Sequence, residues 1–353
     1  MGENMEIKRN YSLDLLKIVS MFFVIVLHYN NGNMGGLLNN VQTGTSNYFI
    51  AYFTEILTII ACNLFVLISG YFLCKSNKIK IRKIVDIIIL LFFYGIIIYA
   101  ICICTGLTIF NKKTLKLMFL TIDNRWFINI YILLYLLHPY INKIISNINK
   151  KQFTMLIAIC IFFFSVWSSI LRPQGILDLN SFVTDRGYGI TNFIMLYLIG
   201  AYIRLYYDNK KINKFILLII YICLSLLGTF IFYKFPNATS YNFIINIINS
   251  VIVFLIFKNI TISKGKIISK FAEYSLAIYI IHENSFIRVY LYRNIFLSSS
   301  FYNSSFLLIN MAYTCIGILL ICATIEFVRK TLFKITINKL IDKSKYLNKI
   351  IFI

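Results

Sequence analysis

Charge is scarce in this 353-residue sequence: 14% of residues are charged and only 13 are acidic, against 59% hydrophobic. Soluble domains carry about 25% charged and roughly 45–50% apolar residues. The scarcity excludes a water-soluble globular protein, and a mean hydropathy of +0.78 agrees. No Cys-x-x-Cys pair occurs among the eight cysteines, which lie within or beside apolar runs, and Cys102-x-Cys104 is a poor ligand spacing. They read as small apolar residues in lipid, and no metal site is expected. No small-residue A-x-A site follows the first apolar run, which Asp14 and Lys17 interrupt, so that run is a retained span and not a signal peptide. No fixed period is detectable, so no internal repeat is expected.

What is present is apolar sequence in long blocks. A spanning helix needs about 20 such residues at 1.5 Å rise each. Ten segments qualify: 11–30, 48–74, 84–105, 127–147, 153–171, 190–207, 214–233, 241–258, 271–287 and 305–329. The expected fold is therefore an all-α integral membrane bundle of about ten helices, with residues 330–353 as a basic tail. The connecting loops are too short for a soluble module, so the activity belongs to the bundle. The net charge of +22 fits topology better than nucleic acid. Loops on one side hold 25 of the 35 Lys and Arg residues, loops on the other hold 9, and Lys17 lies inside a span. By the positive-inside rule both termini are cytoplasmic.

Ionisable side chains inside spans cost on the order of 3 kcal/mol at the helix centre, which makes them functional candidates. The first span carries Asp14, Lys17 and His28. Asp14 and Lys17 are i,i+3 neighbours able to neutralise each other. Lys17 and His28 are eleven positions apart, which leaves them about 20° apart around the helix and roughly 16 Å along it. One stripe then carries a fixed cation near the cytoplasm and a titratable base near the other end. A snorkelling lysine and a hydrogen-bonded interfacial histidine would give the same pattern. His282 beside Glu283 suits a substrate pocket or a structural hydrogen bond, whereas His138 before Pro139 reads as a kink site. Glu55 and Glu326 also fall in spans, and Asp86 is placed to pair with Arg82 at i,i+4. Loop 106–126 is basic yet partly apolar, and reads as an interfacial or re-entrant helix that could roof a site. At its end Asp123, Arg125 and Trp126 suit an acceptor pocket. Trp126 as an interface-belt aromatic anchored by Arg125 fits equally well.

Leu13-Asp14-Leu15-Leu16-Lys17, followed after ten residues by His28, resembles the Arg/Lys-x10-His motif of the membrane-bound acyltransferase 3 family. Lys78-Ile79-Lys80-Ile81-Arg82-Lys83 resembles its cytoplasmic basic motif, and Arg125-Trp126-Phe127 with Tyr131, Tyr135 and Pro139 its Trp-Phe start of the fourth span. Tyr197-Leu198-Ile199-Gly200-Ala201 resembles its glycine motif, and Tyr274 to His282 its ninth-span signature. The likeness covers roughly residues 11–330. It departs where Lys17 replaces the commoner arginine and where Lys80-x-x-Lys83 replaces paired arginines, so phosphate would meet point charges and not bidentate forks.

The resemblance implies transfer of an acyl group, usually acetyl, from cytoplasmic acyl-CoA to a hydroxyl of an extracytoplasmic glycan, in a bacterial plasma membrane. Acyl-CoA is then a substrate, with no permanently bound cofactor. Lys17, Lys80, Arg82 and Lys83 are the candidates for its phosphates, although loop lysines also serve as topology charges. His28 is the first choice as general base, or as transient acyl carrier, with Asp14 supporting Lys17. Arg125, Trp126, His282 and Glu283 are candidates for the acceptor pocket. Export of polysaccharide or lipid-linked glycan is the alternative function, and a non-catalytic membrane sensor or assembly factor a third.

Overall fold

The computed structural model describes residues 9–119, 125–171, 185–207, 212–335 and 350–352. Among them, eight helices are long and apolar enough to cross a membrane. The chain runs through α1 (Tyr11–Asn30), α2 (Ser46–Thr58), α3 (Ala61–Leu73), α4 (Ile81–Cys104), α5 (Lys112–Phe119), α6 (Trp126–Ser146), α7 (Lys150–Ile161), α8 (Ile190–Tyr206), α9 (Lys214–Phe232), α10 (Ile244–Lys258), α11 (Lys266–Ala272), α12 (Ser275–His282) and α13 (Leu307–Ile335). Helix α1 starts where Asn10 Oδ1 accepts from the Leu13 amide at 3.1 Å, satisfying an otherwise orphaned donor.

Three expected spans differ in detail. The second breaks between α2 and α3 at Ile59 and Ile60, and the fifth continues from α7 as a π-helix over Phe162–Leu171. The segment expected to span 271–287 is broken up: α12 has only eight residues. Local side-chain bonds compete with the helix at both its ends. Ser275 Oγ donates to the Ala272 carbonyl at 2.9 Å, and Asn284 Oδ1 accepts from the Phe286 amide at 3.0 Å. Helix α8, at 17 residues, is short, and ten of them are buried. The basic tail is helical to Ile335, residues 336–349 lie outside the described residues, and Ile350–Phe352 forms a strand antiparallel to Lys78–Lys80.

Polar contacts tie several loops to their neighbours. Arg9 Nη2 pairs with Glu273 at 2.8 Å, Lys330 Nζ with the same carboxylate at 3.6 Å, and Asn142 Nδ2 donates to the Leu73 and Ser76 carbonyls. The Gln42 amide donates to Asn303 at 2.8 Å, and Arg186 to Thr239 at 3.1 Å.

Helices α3 and α8 cross at their glycines. Gly70 lies on the Tyr197 carbonyl and Gly200 on the Leu67 carbonyl, and a Cβ at either would overlap backbone. Small residues at such crossings let packing replace the hydrophobic drive that lipid removes. Helices α4 and α13 are joined by charge: Glu326 accepts from Tyr94 Oη and from Arg329 Nε and Nη2, all at 2.7 Å. Its side chain is 2% exposed. Arg329→Met is expected to cost about 3 kcal/mol by stranding that carboxylate. The melting midpoint in detergent should fall by roughly 8 °C, with much of it restored in the Glu326→Gln, Arg329→Met double variant. An unchanged midpoint in the single variant would mean the pair carries no stability.

Candidate active site

Helix α1 connects two polar clusters along one face. Near its start Asp14, itself buried, accepts from Lys17 Nζ at 2.9 Å, Arg9 Nε at 3.0 Å and Ser269 Oγ at 2.6 Å. The expected Asp14–Lys17 pair therefore forms, and Arg9 and Ser269 complete it. Lys17 keeps part of its length exposed. It lines both a cavity of about 330 Å³ and an adjoining one of about 430 Å³, and the two share Ser69, Lys83 and Tyr131 as well. The smaller cavity is mostly apolar, walled by Met21, Val24, Phe65, Phe127 and Tyr279. Lys17, Met21 and Val24 fall at helical spacing on that wall, and His28 is the next position of the same stripe.

His28 does not line the cavity but lies near Tyr279, which does. Its ring is 6.4 Å from that of Tyr279 and 5.0 Å from that of His282 between centroids. His28 Nδ1 and His282 Nε2 are 3.0 Å apart, and His282 Nδ1 meets the Ile278 carbonyl one turn back along α12. A carbonyl only accepts, so His282 Nδ1 carries hydrogen. The Nε2 of a neutral His282 then accepts from His28 Nδ1–H. The remaining nitrogen of His28, Nε2, is left with a free lone pair. The pair is thus a chain of donors fixed at one end by backbone, and it presents a base at the other.

Around the histidines the candidates from the sequence converge unequally. Arg125 is buried, its Nη2 donating to the Ile280 carbonyl at 3.0 Å. Glu283 pairs with Arg288 at 3.1 Å. Trp126 packs among aromatic rings. Its ring sits 4.5 Å from Tyr188 and 5.4 Å from Tyr241, which are 5.0 Å from each other. This aromatic triangle reaches the histidines through Phe127, 6.4 Å from Tyr279. In the basic motif, Lys83 lines both cavities and lies over the Tyr135 ring at 5.0 Å. Lys80 and Arg82 line neither. The Lys80 amide donates to Tyr135 Oη at 3.0 Å, and Arg82 pairs with Asp86 at 2.7 Å, as its spacing suggests.

His138 is buried against the Tyr135 carbonyl, in keeping with a structural role at the Pro139 turn. Glu55 accepts from Asn30 Nδ2 at 3.1 Å. Helix α5 is pinned to α4 by the bond between Tyr99 Oη and Thr114 Oγ1 at 2.8 Å, and Asp123 lies outside the described residues.

Sequence reasoning misses Tyr279, Tyr188 and Tyr241. Tyr279, three residues before His282 on one helix, was findable by helical spacing. Tyr188 and Tyr241 meet Trp126 only through the tertiary fold.

Comparison with known proteins places this geometry in context. The family model described as "Acyltransferase domain" matches residues 10–326, from the cap of α1 to the Glu326 that holds α13. Searches of curated proteins and of solved structures returned no significant match. With nine-tenths of its length matched to that one model, the chain belongs to the acyltransferase 3 family and is a membrane acyltransferase.

Proposed function

We propose that the protein transfers acetyl from cytoplasmic acetyl-CoA, across the thickness of a plasma membrane, to a hydroxyl of a cell-surface glycan or its precursor. The observation that carries this reading is the apolar cavity lined by Lys17, Lys83 and Tyr279, with the His28 ring 6.4 Å from that of Tyr279. The CoA arm between phosphate and sulfur is about a dozen bonds long. At the advance of an extended chain, ~1.2 Å per bond, it spans roughly 15 Å. That matches the roughly 16 Å rise from Lys17 to His28. Phosphates at the lysines would put the thioester at the histidines.

In this mechanism His28 Nε2 takes the proton of the acceptor hydroxyl as its oxygen attacks the thioester carbonyl. The carbonyl electron pair moves onto oxygen as the new C–O bond forms. Collapse breaks the C–S bond, and the thiolate leaves with the proton from His28. His282 stabilises the transient imidazolium by accepting from Nδ1–H, and the Ile278 carbonyl keeps it oriented for that. The Trp126, Tyr188 and Tyr241 triangle supplies apolar faces on which a sugar ring stacks.

The test is turnover of acetyl-CoA by purified protein in lipid nanodiscs. Wild type is expected to release CoA. Lys17→Met should raise KM for acetyl-CoA about tenfold, one charge-assisted phosphate contact, and leave kcat within threefold. Absence of any turnover, together with glycan binding, would favour an export protein instead.

A further inference from the structure

Arg125 is among the largest side chains in the bundle to be fully buried, at 2% exposure. A buried guanidinium is tolerated when its hydrogens are bonded and its charge is paired. Only part of that holds here. Nη2 is bonded to the Ile280 carbonyl, whereas Nη1 has no hydrogen-bond partner and Arg125 has no ion pair among the described residues. The nearby acid, Glu283, is paired with Arg288. Arg125, Arg288 and Glu283 together leave one uncompensated positive charge. The carbonyl that holds Arg125 belongs to the same turn of α12 as Tyr279 and His282, the two residues whose rings contact His28. An unused buried N–H and an excess positive charge thus sit against the turn of α12 that carries Tyr279, a cavity-lining residue, and His282.

We propose that Arg125 is a catalytic residue whose Nη1–H binds the oxyanion formed when the thioester carbonyl is attacked. This rests on the acyl-transfer reading above. The ground-state carbonyl is neutral and the tetrahedral oxygen carries a full charge, so the contact strengthens during the reaction and acts on kcat. The Ile280 carbonyl fixes the guanidinium plane beforehand, and no reorganisation is needed at the moment of attack. A carboxylate on the acceptor is the other anion that could occupy the position, and the two make opposite demands on acceptor-free turnover.

The experiment is hydrolysis of acetyl-CoA to acetate and CoA by the full-length protein in nanodiscs without added glycan. Arg125→Lys and Arg125→Gly are each expected to lower kcat about a hundredfold or more. KM for acetyl-CoA, and binding of CoA measured by calorimetry, should stay within threefold. Ethylguanidinium should restore the kcat of Arg125→Gly at least tenfold and leave His28→Ala unrestored, which a merely structural arginine would not do. Normal hydrolysis in both Arg125 variants overturns the assignment and transfers the site to an acceptor carboxylate. Variants that neither bind CoA nor respond to ethylguanidinium also overturn it, because Arg125 then holds the fold. A wild-type protein that turns over no acetyl-CoA fails at the earlier step, independently of Arg125.

Discussion

His28→Ala is expected to lower acetyl-CoA turnover about a thousandfold, while the protein stays folded and binds CoA normally. General-base catalysis by a positioned side chain is worth about 10²- to 10⁴-fold. His28 is placed to supply the upper part of that range because its tautomer is set. The chain from the Ile278 carbonyl through His282 to His28 Nδ1 leaves Nε2 unprotonated before substrate arrives. The same chain makes a graded prediction for the partner. His282→Gln keeps a carbonyl oxygen near the place of Nε2 and should retain several-fold more activity than His282→Ala, which leaves Nδ1–H of His28 without an acceptor. Initial rates in nanodiscs, with CoA binding as the check on folding, measure both. Full activity in a folded His28→Ala protein would sink the catalytic assignment. Equal rates for the two His282 variants would show that it fills space and does not orient His28.

Most of the architecture is legible in the residues themselves, because the bilayer imposes a local rule. Every span must be long and apolar. The geometry of α1 is legible for a similar reason: an i,i+11 spacing has one meaning on a helix, and Lys17, Met21 and Val24 do line the cavity wall below His28. The fate of the ninth apolar segment is less so. Its composition suits a span, yet Ser275 and Asn284 offer the backbone local alternatives that end α12 after eight residues. Those ends bring the Ile280 carbonyl, His282 and Glu283 together. Arg125 illustrates the limit most directly. At the start of α6 it reads as easily as a membrane anchor, and only packing from residues 155 positions away buries it. Lys80 and Arg82 show the reverse. Their motif is conspicuous in sequence, but one is committed to a strand and the other to Asp86, and of the motif Lys83 alone faces the cavity.

The second large effect expected is structural and lies at Gly200. Even Gly200→Ala should destabilise the bundle by about 3 kcal/mol or more and lower its melting midpoint in detergent by roughly 10 °C. Overpacking normally costs about 1–3 kcal/mol because side chains shift to absorb the added atoms. Here the added Cβ would meet the Leu67 carbonyl and the Tyr71 amide, which are backbone and cannot rotate away. Relief requires α3 and α8 to separate, and that separation would also lift Gly70 from the Tyr197 carbonyl on the reciprocal side of the crossing. Helix α3 carries Phe65, Ile68 and Ser69 into the cavity wall, so any variant that folds should also lose affinity for CoA. Gly189→Ala is the matched control. Gly189 has φ −88°, and a methyl added there would have only the Thr191 hydroxyl near it, at 3.9 Å, so its midpoint should move by less than about 2 °C. A Gly200→Ala midpoint as close to wild type as that of the control would mean that the two helices do not meet at their glycines, and the cavity wall would have to be built another way.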